Sequence, residues 1–302
     1  MKLFAATNEA IAVPSPNPLA PRSGRGFWPR VWRRLRKDKV TLFVAATLVA
    51  ILIISVFAPL FATHDPLAGS ILNRLKGFGH QGHWLGTDET GRDLYSRLVF
   101  GSRLTLIAGI SPVLFALLIG GALGIAAGYF RGLTNTLIMR GMDVLYAFPP
   151  ILLAIAITGM LGAGLGNTIL ALTITFIPPI VRISETLSRQ VRTLDFIDVA
   201  RLSGAGPITI IRHHVLNNML GPLLVYATSL TSISIILAAG LSFLGLGVTP
   251  PDAEWGLMLN NLRATIWVNP MVAALPGAMI FVVSMCFNLL SDGLRQAMDI
   301  KL

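Results

Sequence analysis

Long uncharged apolar runs, separated by short polar segments, dominate the chain beyond residue 39. Five blocks contain no Asp, Glu, Lys, Arg or His: 40–62 (23 residues), 104–130 (27), 144–181 (38), 215–251 (37) and 264–291 (28). A helix rising 1.5 Å per residue needs about 20 residues to cross an apolar bilayer core about 30 Å thick. Each block is long enough for that. The 38-residue block exceeds one helix and is interrupted by Gly159, Gly162, Gly164 and Gly166. It predicts a hairpin of two spans, Val144 to about Met160 and Asn167 to about Arg182. The block from Val215 ends in Leu244-Gly245-Leu246-Gly247-Val248-Thr249-Pro250-Pro251, which predicts an exit loop after one span. The pattern predicts an all-α polytopic membrane protein with six transmembrane helices.

Composition agrees and removes other classes. Of the 302 residues 54% are hydrophobic and 13% charged, with a mean hydropathy of +0.71. Soluble domains carry about 25% charged residues. The net charge of +10 suggests nucleic acid at first sight, but nine of the 24 Lys and Arg fall within the first 39 positions. They therefore predict a topology signal and contact with membrane lipid, and no nucleic-acid partner. Basic residues concentrate on the cytoplasmic side of a membrane. With both termini cytoplasmic, 18 Lys and Arg lie inside and 5 outside, with Arg103 at a boundary. The single cysteine, Cys286, excludes a disulfide framework and any multi-cysteine metal site.

The segments follow from this count. Residues 1–26, with Pro14, Pro16, Pro18 and Pro21, predict a disordered cytoplasmic tail. Residues 27–39 place Phe27, Trp28, Val31, Trp32 and Leu35 at helical spacing among six Arg and Lys. That segment reads either as a helix lying in the headgroup layer or as a simple orientation signal. The first span, 40–62, is too long and starts too late for a cleaved signal peptide. An extracytoplasmic loop covers 63–102. A transmembrane core covers 103–292 with a large cytoplasmic loop at 182–218, and 293–302 form a second cytoplasmic tail.

The uncharged blocks hold no ionisable group at mid-membrane, which weighs against a stand-alone secondary carrier or channel, the alternative reading. Thr173, Thr175, Thr228, Ser229, Thr231, Ser232, Ser234 and Asn288 are read as interhelical hydrogen-bonding groups. No catalytic spacing such as H-E-x-x-H or G-x-S-x-G occurs, so no enzyme activity, catalytic residue or metal site is expected. A P-loop requires a Gly-Lys pair, and the chain has none. The string Leu202-Ser203-Gly204-Ala205-Gly206 looks like an ATPase signature loop, yet without a P-loop it is coincidence. Energy for uphill transport must come from another chain.

The large inner loop is where that energy enters. Asp195 is positioned to cap a helix from Phe196 to Ser203, with Asp198 near its positive end. Gly204 supplies a stop, and Gly206-Pro207 opens a second helix. Ala200, Ser203, Gly204 and Ala205 leave the turn small enough for another protein's backbone to approach. A DNA-binding helix-turn-helix is a poor rival, since both ends are tethered to spans.

The loop Phe196-Ile197-Asp198-Val199-Ala200-Arg201-Leu202-Ser203-Gly204-Ala205, followed by His213-His214-Val215-Leu216-Asn217-Asn218, resembles the "EAA" motif of permease subunits of bacterial ABC importers. Asp198 stands where Glu is usual, Val199 replaces the first Ala and Asn217 replaces the Pro, while Ala200 and Gly204 keep the spacing. Two further stretches are similar to the second, C-type permease of the dipeptide/oligopeptide/nickel importers. One is Trp84-Leu85-Gly86-Thr87-Asp88-Glu89-Thr90-Gly91-Arg92-Asp93-Leu94 through Leu98. The other runs from Leu241 through Gly247, Pro250 and Pro251 to Glu254-Trp255-Gly256, and the ending Phe287 to Arg295 also fits.

The resemblance covers about residues 28–302. It implies a type I ABC importer permease fold in a bacterial inner membrane, forming half of a pathway for peptides or a related small solute. It also implies a second homologous permease, two ATPase subunits and an extracytoplasmic solute-binding protein. No cofactor is expected in this chain, ATP and magnesium being used by the partner subunits. The ATPase-coupling residues it implies are Asp198, Ala200, Arg201, Ser203, Gly204, Ala205, His214 and Leu216. In the outer motifs, Gly86, Thr87, Asp88, Gly91, Arg92, Asp93, Pro250 and Pro251 shape loops or dock a binding protein. Asp88, Glu89 and Asp93 lack the alternating ligands of a calcium loop. Trp84 and Trp255 are expected as interfacial anchors.

Overall fold

The computed structural model describes residues 27–298; the expected tail at 1–26 and the last four residues of the second tail lie outside the described residues. Among the described residues every regular element is helical: α1 Phe27–Leu35, α2 Lys39–Val56, α3 Ala58–Phe61, α4 Leu94–Phe130, α5 Gly132–Tyr146, α6 Pro150–Leu161, α7 Leu165–Arg192, α8 Asp195–Leu202, α9 Pro207–Ile210, α10 Leu216–Phe243, α11 Trp255–Asn261 and α12 Pro270–Met298. A π-helical turn, Ile211–Val215, joins α9 to α10 into one continuous rod. Five helices are long and apolar enough to cross a membrane, and the count is six if α5 and α6, bent by 84°, form one broken span.

The bend sits at Phe148-Pro149-Pro150. Pro149 disfavours helical backbone at Phe148, and Pro150 starts α6 in the first-turn position where its missing N–H costs nothing. Counted as one broken span, the third crossing begins at Gly132, ahead of the uncharged block that starts at 144. Helices outrun the uncharged blocks elsewhere too. α4 begins at Leu94 because Asp93 caps it, its carboxylate accepting from Ser96 N at 2.8 Å, and because Leu94 and Leu98 are buried. α7 runs ten residues past Arg182 because Ser184, Ser188 and Val191 continue its buried face. Charges on an exposed helix face end a lipid-crossing segment without ending the helix.

α4 and α7 run parallel and form the most extensive packing in the molecule. Gly120, Gly124 and Gly128 make a small-residue stripe on α4. A Cβ on Gly124 would lie 2.6 Å from Val181 O, and one on Gly128 would lie 2.5 Å from Glu185 O. In an apolar solvent such close backbone approach, with its dispersion contacts, replaces the hydrophobic drive of water-soluble cores. α10 packs against α4, α7 and α12, and α12 against α2. Arg103 closes the end of α2 by donating to Ser55 O at 2.5 Å and Val56 O at 2.6 Å, two carbonyls that its last turn leaves free.

α1 docks on protein. Val31 is buried with Val225, Ala297 and Met298, and Arg34 donates to Ala297 O at 3.4 Å. Alternation of the helices puts the 193–206 segment, α1 and the end of α12 at one end of the bundle. The 63–93 segment and the 244–254 loop lie at the other.

Candidate functional site

The 193–206 end is built on one anchor. Ile197, fully buried, sits in a cluster with Val191, Ile210, Val215 and Met219 and fixes α8 to the ends of α7 and α10. Asp195 is the first residue of α8 rather than its cap; Leu194 holds the cap position and no side chain caps the helix. Asp198 and Arg201 pair at 2.8 Å on the exposed face. Gly204 has φ +82°. Its N–H donates to Arg201 O at 2.9 Å, and the Ala205 N–H reaches Ala200 O at 3.0 Å. These two bonds make a Schellman stop, which satisfies carbonyls that a helix end leaves free. Ser203, exposed, donates to Val199 O at 2.9 Å within its own helix, and Gly206-Pro207 opens α9. His214 lies with its ring 5.8 Å from that of Phe196, and Leu216 packs on the Ile197 cluster.

Among the described residues nothing lies within 4 Å of a Cβ placed on Gly204. Around it, Val199, Leu202 and Ile208 are 61, 89 and 80% exposed. This apolar rim did not emerge from the sequence reading, although the signal was there. α8 carries apolar residues at 196, 197, 199, 200 and 202, more than one buried stripe uses.

The other end is a closed polar brace. Thr87 is buried, accepts from Lys76 N at 2.9 Å and donates to Asn73 O. Asp88 accepts from Thr90 N at 2.8 Å, from Arg92 N at 2.9 Å and from Arg92 Nε at 2.7 Å, and Arg97 Nε lies 3.2 Å away. Arg92 also reaches Glu89 at 3.2 Å. Burial, reinforced by the Asp88 charge, raises the Glu89 carboxyl above its ordinary value.

Arg97 is the tie between distant segments, donating to Pro66 O at 3.1 Å, Pro251 O at 3.5 Å and Asp252 O at 3.4 Å. The Pro250–Pro251 peptide is cis. Gly86 and Gly91, at φ +79° and +77°, turn the chain against the 70–77 strip, where a Cβ on Gly91 would sit 1.9 Å from Ser70 O.

Trp255 corrects an expectation. It is fully buried, packs among Leu94, Leu98, Met258 and Leu262, and donates from Nε1 to Leu98 O at 2.9 Å, so it is a core residue and no interfacial anchor. Trp84 is exposed and lies against the Tyr95 ring. Glu254, absent from the predicted set, is buried. It caps α11 through Gly256 N and Leu257 N, both at 2.9 Å, and accepts from Thr105 at 3.0 Å. Burial raises its carboxyl above the usual range against the pull of those bonds.

The family described as binding-protein-dependent transport system inner membrane component matches residues 120–302, and the N-terminal TM domain of oligopeptide transport permease C matches residues 26–77. The chain is 40% identical over 281 residues to the glutathione transport system permease protein GsiD of Pectobacterium atrosepticum, covering 93% of both chains. It is 39% identical over 302 residues to the proteins of that name from Shigella boydii and Escherichia coli O157:H7, covering 100% of this chain and 99% of theirs. A chain of the MetNI methionine ABC transporter, solved in inward-facing conformations, superposes with a TM-score of 0.55 at 20% identity. That match covers 66% of this chain and 95% of the solved one, and it shows a shared fold. These relatives are permease subunits of ABC importers, which sets aside the stand-alone carrier. This chain belongs to the binding-protein-dependent transport system inner membrane component family, among the dipeptide, oligopeptide and nickel permeases.

Proposed function

We propose that this chain is one of the two transmembrane halves of an ATP-driven importer for glutathione or a similar small peptide, in a bacterial inner membrane with both termini cytoplasmic. The solute class rests on the printed activity of the relatives that match almost its whole length. The orientation rests on the 18 to 5 split of basic residues. The partners are a homologous permease, two ATPases that use ATP and magnesium, and an outer binding protein; this chain carries no catalytic group and no cofactor of its own.

The observation that carries the reading is the exposed apolar rim of Val199, Leu202 and Ile208 around the open Gly204 turn, held on the buried Ile197 anchor. Nucleotide-driven closure of the ATPases pushes on this rim. Because Ile197 shares a cluster with α7 and α10, the push reaches both helices. Differential binding of ATP to the two states shifts the population between inward- and outward-facing forms. The solute passes along the groove where Tyr146, Phe148, Thr175, Phe176 and Tyr226 face each other at the bend of α5 and α6.

Proteoliposomes holding the whole importer test the energy source. Uptake of labelled glutathione is expected to require ATP and to persist when an uncoupler collapses the proton gradient at clamped ATP. Uptake abolished by the uncoupler overturns the reading. Reporter fusions at residues 75 and 255 are expected outside; cytoplasmic reporters at either overturn the orientation.

A further inference from the structure

Three side chains from separate segments converge where the 63–93 loop meets α4. His64 follows α3, His83 belongs to the turn in which it opposes His80, and Asp93 caps α4. The two oxygens of Asp93 divide their work. Oδ2 accepts from Ser96 N at 2.8 Å and from Thr63 Oγ1 at 3.2 Å. Oδ1 faces both imidazoles, with His83 Nδ1 at 2.8 Å and His64 Nδ1 at 3.8 Å. The three donor atoms all lie within 4.8 Å of one another. The rings stack at 4.5 Å between centroids, tilted by 33°. Asp93 is buried, His83 is half-buried, and His64 is exposed, so an ion can enter from solvent beside His64.

A His–Asp hydrogen bond alone accounts for His83. It leaves the approach of His64 to Asp93 unexplained, because 3.8 Å exceeds hydrogen-bond reach and, among the described residues, its Nδ1 hydrogen-bonds to the Thr63 hydroxyl at 3.0 Å. Donors sharing one tetrahedral zinc ion at about 2.0–2.2 Å each stand roughly 3.3–3.5 Å apart. The observed 2.8 and 3.8 Å separations straddle that value and the third pair lies within 4.8 Å, so side-chain rotations can close the set. The carboxylate is already oriented by Ser96 and Thr63, as outer-shell partners of metal sites are.

We propose that His64 Nδ1, His83 Nδ1 and Asp93 Oδ1 form a three-ligand site for a divalent transition metal of the zinc class, with water in the fourth position. On binding, the proton of His83 moves from Nδ1 to Nε2 and the metal takes the freed lone pair. The ion joins the segment after α3, the 80–83 turn and the start of α4. This site is independent of the transport reading, since neither solute nor ATPase takes part.

The test uses the full-length protein in nanodiscs, stripped with a chelator and titrated with Zn²⁺ by calorimetry. A parallel titration with Co²⁺ reads the visible absorption of tetrahedral coordination. One saturable equivalent is expected, with a rise in the thermal midpoint. His64→Ala and His83→Gln are each expected to weaken binding at least tenfold, and the glutamine can still donate to Asp93, which keeps the fold intact. His80→Ala is expected to bind as the unaltered protein does. Absence of saturable binding, or unchanged binding in both His64→Ala and His83→Gln, overturns the proposal.

Discussion

Gly91 and Gly204 have nearly the same backbone conformation, φ +77° and +82°, in opposite surroundings. Gly91 is walled in by the Ser70 backbone, and its turn belongs to the mesh of Asp88, Arg92 and Arg97. Gly204 has open space on the side where a Cβ would project, and exposed apolar residues around it. One turn is closed by its own chain, and the other is left open, where the proposed function has a different chain complete it. The same residue type thus serves rigidity at one end of the bundle and access at the other. Substitutions at the first end should damage the protein itself, and those at the second should damage only its coupling.

The largest effect is expected at Arg97. Arg97→Leu leaves Asp88 without one of its two cationic partners and three backbone carbonyls without their donor. Removing one member of a buried pair costs about 3–5 kcal/mol, so thermal unfolding in nanodiscs should show a collapsed midpoint. A loss under about 1 kcal/mol would break the picture of a brace, since that is the range of an exposed pair.

Gly91→Ala comes next, because its Cβ cannot fit 1.9 Å from Ser70 O unless backbone moves. Such overpacking costs about 1–3 kcal/mol, readable in the same melt.

Asp93→Ala is expected to cost about 0.5–2 kcal/mol for the lost cap. It should also change the acid limb. Burial pushes Asp93 up, but the bonds from Ser96 and His83 outweigh it and hold its carboxyl below the ordinary 3.8. Its contribution is therefore fully present above pH 3.8 and lost as pH falls below that value through the folded-state pKa. Stability measured against pH should lose part of its decline below pH 3.8 in Asp93→Ala; an unchanged decline would contradict the assignment. At the other end Asp198→Lys breaks only the exposed pair with Arg201, worth about 0–1 kcal/mol, and the melt should barely move while uptake falls.

The two ends also differed in how much the sequence disclosed. Apolar blocks were enough for the rough place of the five long spans and of the bent pair that makes a sixth, because a bilayer imposes a length that few other structures need. They misplaced helix ends at Leu94, Gly132 and Arg192, since a charge count reports where lipid stops and a helix continues wherever a buried face continues. The Gly120, Gly124 and Gly128 stripe had a readable four-residue period and was passed over. Trp255 was misread because an aromatic beside an expected boundary has two physical roles, anchor or core, and only packing separates them. The ties made by Arg97 and the meeting of His64, His83 and Asp93 join residues up to 155 positions apart. No local spacing announces them.

The central claim is that the 193–206 end is an interface for an ATPase. Gly204→Asp tests it most directly. Among the described residues nothing lies within 4 Å of a Cβ at Gly204, and the left-handed backbone position costs about 1 kcal/mol of strain, so membrane levels should stay normal. The account predicts that the ATPase no longer co-purifies and that uptake is lost. Normal uptake by Gly204→Asp, with the ATPase still bound, would contradict it.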